Sequence, residues 1–152
     1  MSANTNPIYS LTPNIGEVKI TQSSALVRSD GGATNAIGTD QFLAFTSGTN
    51  GSFVQRVRFI PVASAATVNS VATTLRVFLS TVNTGIPTPS NTYLLAEISV
   101  PIISTSNSTN AVSYYEIPLN IAMPANQYIL VSQHIAQTAN QSWQAMVFGG
   151  DY

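Results

Sequence analysis

His134 is the only histidine in the 152-residue chain, and histidine is the side chain best suited to acid–base catalysis near neutral pH. It lies near the end of the stretch YILVSQHI, whose composition is typical of a strand. A catalytic histidine would also need a nucleophile and an orienting carboxylate, but the six acidic residues are scattered and form no recognisable motif. We therefore predict a structural role for His134 and no enzymatic activity.

Metal and cofactor ligands are equally sparse in the sequence. The chain has no cysteine, so it has neither disulfides nor thiolate ligands. Asp30 and Asp40 flank a glycine-rich loop, but they lack the spacing of a calcium-binding loop. No glycine-rich phosphate loop precedes a helix, and we therefore predict no cofactor and no metal site.

The arginines are the most informative charged residues. Five basic residues against six acids give no electrostatic stripe, so we predict no nucleic-acid binding. Arg56 and Arg58 lie two residues apart in one predicted strand and form a small basic spot, which Glu97 or Glu116 would neutralise. Arg76 lies in another apolar strand and also needs a partner. We hypothesise that at least one of these Arg–Glu pairs is partly buried between subunits and fixes their register.

The aromatic residues leave two interpretations open. Tyr114, Tyr115 and Trp143 could form a stacking platform for a carbohydrate beside asparagine and glutamine donors. Alternatively, Trp143 belongs to the core, because Ala145 and Val147 share its face of the predicted strand.

The stretch of residues 70–81, SVATTLRVFLST, is the predicted centre of the fold. Its valines and threonines favour a strand over a helix, and its apolar residues do not follow the helical period. Both faces of such a strand are largely apolar or small. We predict that one face lies in the core and the other against a second layer or a neighbouring subunit.

The rest of the chain predicts eight or nine strands and no helix. Asp30-Gly31-Gly32 indicates a turn, Asn50-Gly51 a tight hairpin, Pro61 a strand end, and Pro118 an edge strand or a bend. This spacing predicts an all-β, antiparallel β-sandwich of jelly-roll type, with an immunoglobulin-like sandwich as the alternative. The predicted strands are residues 15–21 (continued or paired by 24–28), 41–46, 53–60, 70–81, 92–100, 111–119, 127–135 and 142–148.

The N-terminal residues 1–14 hold two prolines and three asparagines, which is typical of an extended arm, with a frayed terminus as the alternative. Ile8, Tyr9 and Leu11 would allow this arm to dock on another surface. Residues 15–152 show no repeat, linker or composition break, so we predict one β-sandwich domain there.

Composition favours a protein that works inside an assembly. Only 7% of the residues are charged, against roughly 25% in ordinary soluble domains, while serine, threonine, asparagine and glutamine make up 56 of 152. The net charge of −1 gives little repulsion between copies, and we predict a homotrimer with closed cyclic symmetry. The start MSANTNPIYS lacks the pattern of a signal peptide, and no apolar run is long enough to span a membrane. We therefore expect synthesis in a cytoplasm and no membrane partner.

A Ser/Thr/Asn-rich β chain of this kind, without cysteine or signal peptide, resembles the small virion proteins of tailed bacteriophages. The stretches FVQRVRFIPVASAATVNSVATTLRVFLST and SWQAMVFGGDY are similar in style to their auxiliary capsid proteins, also called decoration or cement proteins. The resemblance implies a β-sandwich, often trimeric, on the outer capsid surface of the virion at joints between major capsid protein subunits. A receptor- or carbohydrate-binding module of a phage tail or fibre is the alternative.

Overall fold

The computed structural model describes residues 10–21, 28–108 and 112–152, and these residues form strands and loops without a helix. Ten strands are present, two of which are only two residues long. In chain order they are β1 (Thr12–Ile20), β2 (Phe42–Thr46), β3 (Ser52–Ala63), β4 (Val68–Asn69), β5 (Thr73–Ser80), β6 (Thr92–Val100), β7 (Ser104–Thr105), β8 (Tyr115–Met123), β9 (Tyr128–Gln133) and β10 (Gln141–Asp151). The all-β prediction is confirmed.

Two four-stranded antiparallel sheets form a sandwich. Sheet A has the strand order β1-β10-β3-β8, and sheet B has the order β2-β9-β5-β6. The short strands β4 and β7 pair separately. β8 is an edge strand of sheet A, as Pro118 predicted, because a proline cannot donate to a second neighbouring strand.

The core lies between the two sheets and follows the alternation of side chains along each strand. Sheet A contributes Val57, Phe59 and Trp143, and sheet B contributes Leu75 and Val77, all with no exposed surface. Burying a side chain of this size stabilises the fold by about 1.5–3 kcal/mol. The core therefore forms where the inward positions of the two sheets meet.

β5 is a central strand with two buried faces. Leu75 and Val77 point into the main core, while Phe78 points away from it and packs on the outer face of sheet B. Phe78 and Leu130 are fully buried there, and Ile37 from the connection between β1 and β2 is one of the residues packed on them. The second layer predicted for this strand is thus provided, at Phe78, by the chain itself.

Sheet A includes more of both chain ends than the sequence suggested. β1 begins at Thr12, three residues inside the predicted arm, and β10 continues past the predicted strand end at residue 148 to Asp151. The reason is close packing at Gly149 and Gly150, which pair with both β1 and β3. A Cβ on Gly149 would lie 2.6 Å from the Phe53 carbonyl oxygen, so only glycine allows this approach.

Two other local predictions are corrected. β3 continues through Pro61 to Ala63, because Pro61 pairs with β10 beyond the last residue that pairs with β8. Asn50-Gly51 does not close a hairpin, since β2 and β3 lie in different sheets. Gly51 instead adopts a φ of 94° in a turn that crosses between the sheets, and its amide donates to the Gly48 carbonyl oxygen. The predicted strand at residues 24–28 falls almost wholly outside the described residues.

Candidate interaction site on sheet A

Four strands bring the candidate site together on the outer face of sheet A. In one row of the pairing register, Ile15 of β1, Phe148 of β10 and Arg56 of β3 lie side by side. In the next row, Met146 is followed by Arg58, which is followed by Glu116 of β8. We call the surface formed by Ile15, Phe53, Arg56, Arg58, Tyr114, Glu116, Met146 and Phe148 the open face.

This face differs in exposure from the central strands of sheet B, although Leu94 on the edge strand β6, opposite Phe78, is 37% exposed. Ile15 is 57% exposed and Tyr114 52%, whereas Phe78 and Leu130 on the outer side of sheet B are fully buried. A shallow groove beside Phe148 is lined by Ile15, Phe53 and small residues. Exposed apolar side chains grouped on one face are typical of interaction surfaces.

Arg56 and Arg58 share a single carboxylate. Arg58 donates from Nη2 and Nε to Glu116 Oε1 at 2.8 and 3.1 Å. Arg56 Nε lies 2.8 Å from the same oxygen, an ion pair without the geometry of a hydrogen bond. Arg56 Nη1 donates to Gln55 Oε1 at 2.6 Å. The pairing predicted for these arginines is therefore present with Glu116, within one chain. Two positive charges against one negative charge leave the group with a net charge of +1.

Aromatic rings hold both guanidinium groups in place. The Arg56 Cζ atom lies 4.6 Å from the centre of the Phe148 ring, and the Arg58 Cζ atom lies 4.1 Å from the centre of the Tyr114 ring. Such cation–π contacts are worth about 0.5–1 kcal/mol at exposed sites. The arginines are thus positioned by their neighbours before any partner arrives.

Arg76 and Glu97 form a separate pair on the outer side of sheet B. They lie opposite each other on β5 and β6, and Arg76 Nε donates to Glu97 Oε2 at 2.8 Å. Arg76 is only 8% exposed, and its Nη1 atom lies 3.2 Å from Nδ1 of His134. The partner predicted for Arg76 is confirmed, while a role for any of these pairs between subunits stays a prediction.

The aromatic candidates are divided between core and surface. Trp143 has no exposed surface, since it points inward with Ala145 and Val147 as the core interpretation predicted. Its ring contacts Tyr115 edge to face at 5.9 Å. A buried ring offers no face to a sugar, so of the three proposed platform residues only Tyr114 is exposed.

Two candidate residues of the arm, Ile8 and Tyr9, lie outside the described residues. Leu11 is described and is 82% exposed, and its amide donates to the Asp151 carbonyl oxygen at 2.7 Å. Leu11 is therefore anchored through its backbone while its side chain is free to contact another surface.

The site residues that sequence reasoning missed are apolar. Phe148 and Ile15 could be placed beside Arg56 only once the pairing register was known. Phe53 would point inward with Val57 under strict alternation, but Gln55 is skipped in the pairing with both neighbouring strands. This β-bulge reverses the direction of Phe53 and brings it to the open face.

A polar cluster around Asp151 was also missed. Asn14 Nδ2 and Ser52 Oγ donate to the Asp151 carboxylate at 2.9 and 2.5 Å. Burial alone would raise the pKa of Asp151, but these hydrogen bonds, with one from the Gly48 amide, outweigh it and lower the pKa below its usual value. The cluster ties β1, β3 and the end of β10 together, which is a structural role.

Other kinds of site find little support in the part of the chain that the structure describes. No three acidic or histidine side chains there are grouped so that they could hold a metal ion, and none of its segments is a helix that could span a membrane. His134 Nδ1 lies 3.2 Å from Nη1 of the Arg76 guanidinium group. No protein-family model, curated protein or solved structure matches this chain.

Proposed function

We propose that this chain is a structural virion protein, a capsid decoration or cement protein that binds the outer shell at joints between major capsid protein subunits. The observation that carries the proposal is the contrast between the two sheets. Sheet B is covered at Phe78 and Leu130 by its own chain, whereas sheet A presents the open face with its apolar residues and paired arginines. A sandwich with one such face is suited to lie flat on a larger assembly.

We further infer that the sandwich is a jelly roll. When the short strands β4 and β7 are set aside, the first strand pairs with the last, β2 with β9, β3 with β8, and β5 with β6. These pairs run from the two ends of the chain toward its middle, as in an antiparallel ribbon that is rolled into two sheets. Such a ribbon contains the two Greek keys of a jelly roll. Jelly rolls are used in viral capsid proteins and in lectins, so the topology supports the proposal at the level of fold analogy.

The chemistry of the surface supports the same proposal. A protein with 7% charged residues has few of the charges that keep molecules apart. Binding of a trimer to an assembled shell would stabilise that shell by mass action, because the partner binds the assembled state and not its separated subunits. The proposed place of action is the outer capsid surface, after synthesis in the host cytoplasm.

The receptor- or carbohydrate-binding alternative, in a phage tail or fibre, has weaker support. It relied on three aromatic residues, and the burial of Trp143 removes the largest of them. Tyr114 remains exposed, but one face of its ring is occupied by Arg58.

The proposed function is tested on particles of the virus whose genome encodes the chain. We expect mass spectrometry to find the protein in purified capsids at a fixed ratio to the major capsid protein. We also expect capsids that lack it to release their genome at a lower temperature, and added protein to restore the original temperature. Recovery of the protein only with isolated tails or fibres, or with no particle at all, would overturn the proposal.

A further inference from the structure

We propose that Arg56 and Arg58 form a binding site for a carboxylate of a partner protein, an aspartate or glutamate flanked by apolar residues. In naming the capsid as the source of that side chain, this inference rests on the proposed function.

Both arginines keep hydrogen-bond donors that the described residues do not use. Arg58 uses Nε and Nη2 on Glu116, and Arg56 uses Nη1 on Gln55 and places Nε against Glu116. Neither Arg58 Nη1 nor Arg56 Nη2 has an acceptor among the residues that the structure describes. Guanidinium groups bind carboxylates through such paired donors, so a second carboxylate fits where Glu116 leaves donors unused.

The charge of the two arginines and Glu116 is complementary to a carboxylate. Two arginines and one glutamate leave a net charge of +1, which one incoming carboxylate would neutralise. The arginine side chains are 34% and 27% exposed, so they are reachable yet partly shielded from water. A polyanion such as nucleic acid would need a wider basic surface, and the chain has only five basic residues in total.

Apolar residues surround the two arginines. Phe148 lies under Arg56, and the groove beside it is lined by Ile15 and Phe53. A free anion such as phosphate would gain nothing from these residues. A protein segment gains binding energy from the arginines and from the groove, because its carboxylate contacts the arginines while its apolar neighbours cover the groove.

A peptide titration tests the site without any capsid. The chain has four arginines, so a spectrum of 15N-labelled arginine Nε–H groups contains at most four signals, with Arg28 and Arg76 as internal controls. We expect acetyl-Leu-Glu-Phe-amide to shift the Arg56 and Arg58 signals in a saturable manner, and acetyl-Leu-Gln-Phe-amide to leave them unchanged. Equal shifts with both peptides, or none with either, would overturn the inference. Equally strong shifts with inorganic phosphate would show that the site binds anions in general, and would overturn the inference that it binds protein carboxylates.

Glu116→Gln separates a binding role from a structural one. This substitution removes the competing carboxylate, so we expect it to strengthen binding of the glutamate peptide by roughly fivefold. Arg56→Gln and Arg58→Gln should each weaken it by about tenfold or more. A Glu116→Gln variant that folds and binds the peptide more weakly than the wild type would contradict the site.

Binding to capsids then tests the identity of the partner. We expect Arg56→Gln and Arg58→Gln to dissociate at lower salt than the wild type, and Arg28→Gln, in an exposed pair with Asp30, to behave as the wild type. Normal capsid binding by both site variants would leave the proposed function standing and refute the inference. A wild-type protein that binds the peptide but no capsid would refute the proposed function alone.

Discussion

Arg58 and Glu116 lie directly opposite each other on β3 and β8, and a 2.8 Å hydrogen bond joins Arg58 Nη2 to Glu116 Oε1. Both side chains are between a quarter and a third exposed, at 27% and 30%. We expect the Arg58→Ala, Glu116→Ala double-mutant cycle to give a coupling energy of about 0–1 kcal/mol in urea denaturation, because water screens the pair. A coupling energy above about 3 kcal/mol would mean that the pair is a buried structural element and not part of an open face.

The Arg76–Glu97 pair is expected to behave differently, because Arg76 is only 8% exposed. Glu97→Ala should lower the free energy of unfolding by roughly 1–3 kcal/mol, since it removes a charged acceptor from a buried guanidinium group. The matched cycle with Arg76→Ala should show larger coupling than the Arg58–Glu116 cycle. Additive losses, within about 0.5 kcal/mol, would show that Arg76 and Glu97 are uncoupled.

Gly149 should be intolerant of even one added methyl group. A Cβ there would lie 2.6 Å from a backbone oxygen of Phe53, so we expect Gly149→Ala to cost about 1–3 kcal/mol through overpacking. Gly85→Ala is the comparison variant, because Gly85 has a φ of 77° but no atom lies within 4 Å of the place its Cβ would take. Its loss of stability therefore measures backbone strain without crowding. Equal thermal stability of Gly149→Ala and the wild type would show that β10 does not pack as described.

Asp151 should make the fold sensitive to acid. Its pKa is lowered in the folded protein, so its stabilising contribution is complete above the unfolded value near 3.8 and is lost as the pH falls toward the folded pKa. We expect Asp151→Asn to lower stability at pH 6 and to flatten the loss of stability below pH 4 in urea denaturation. The control is Glu17→Gln, an exposed position in β1. An unchanged pH profile for Asp151→Asn would contradict the hydrogen-bonded cluster.

We also predict that the protein is a homotrimer. The structure removes one of the two sequence features that favoured an oligomer. The second apolar face of β5 is covered within the chain at Phe78, so it no longer argues for a subunit contact. The low charge remains as the reason to expect a homotrimer. Light scattering should give about three times 16.1 kDa at high concentration, and a stable monomer would count against the prediction.

The sequence was most informative where alternation and turn chemistry agree. β6 has the predicted bounds, Pro118 lies on an edge strand, and Arg56 and Arg58 point to the same side and meet Glu116. The common direction of Arg56 and Arg58 depends on the two-residue period within one strand. Their contact with Glu116 depends on the pairing of β3 with β8, and the sequence had left Glu97 open as the alternative partner.

Long-range pairing and local irregularities could not be predicted in the same way. The position of Phe148 beside Arg56 depends on a register between strands about 90 residues apart. The outward direction of Phe53 depends on the bulge at Gln55, which lies beside Gly149 of β10 and Pro118 of β8 only once the register of the three strands is known. The apolar residues Phe148 and Phe53 could therefore not be assigned to the candidate site from the sequence, whereas its charged residues could.

The most direct test of the account is hydroxyl-radical footprinting of the protein, free and bound to capsids. The account predicts that Met146, Phe148 and Tyr114 on the open face become protected on binding. Tyr93, which is 51% exposed on β6 of sheet B, should react equally in both states. Protection of Tyr93 with unchanged reactivity of Phe148 and Met146 would contradict the assignment of the open face as the docking surface.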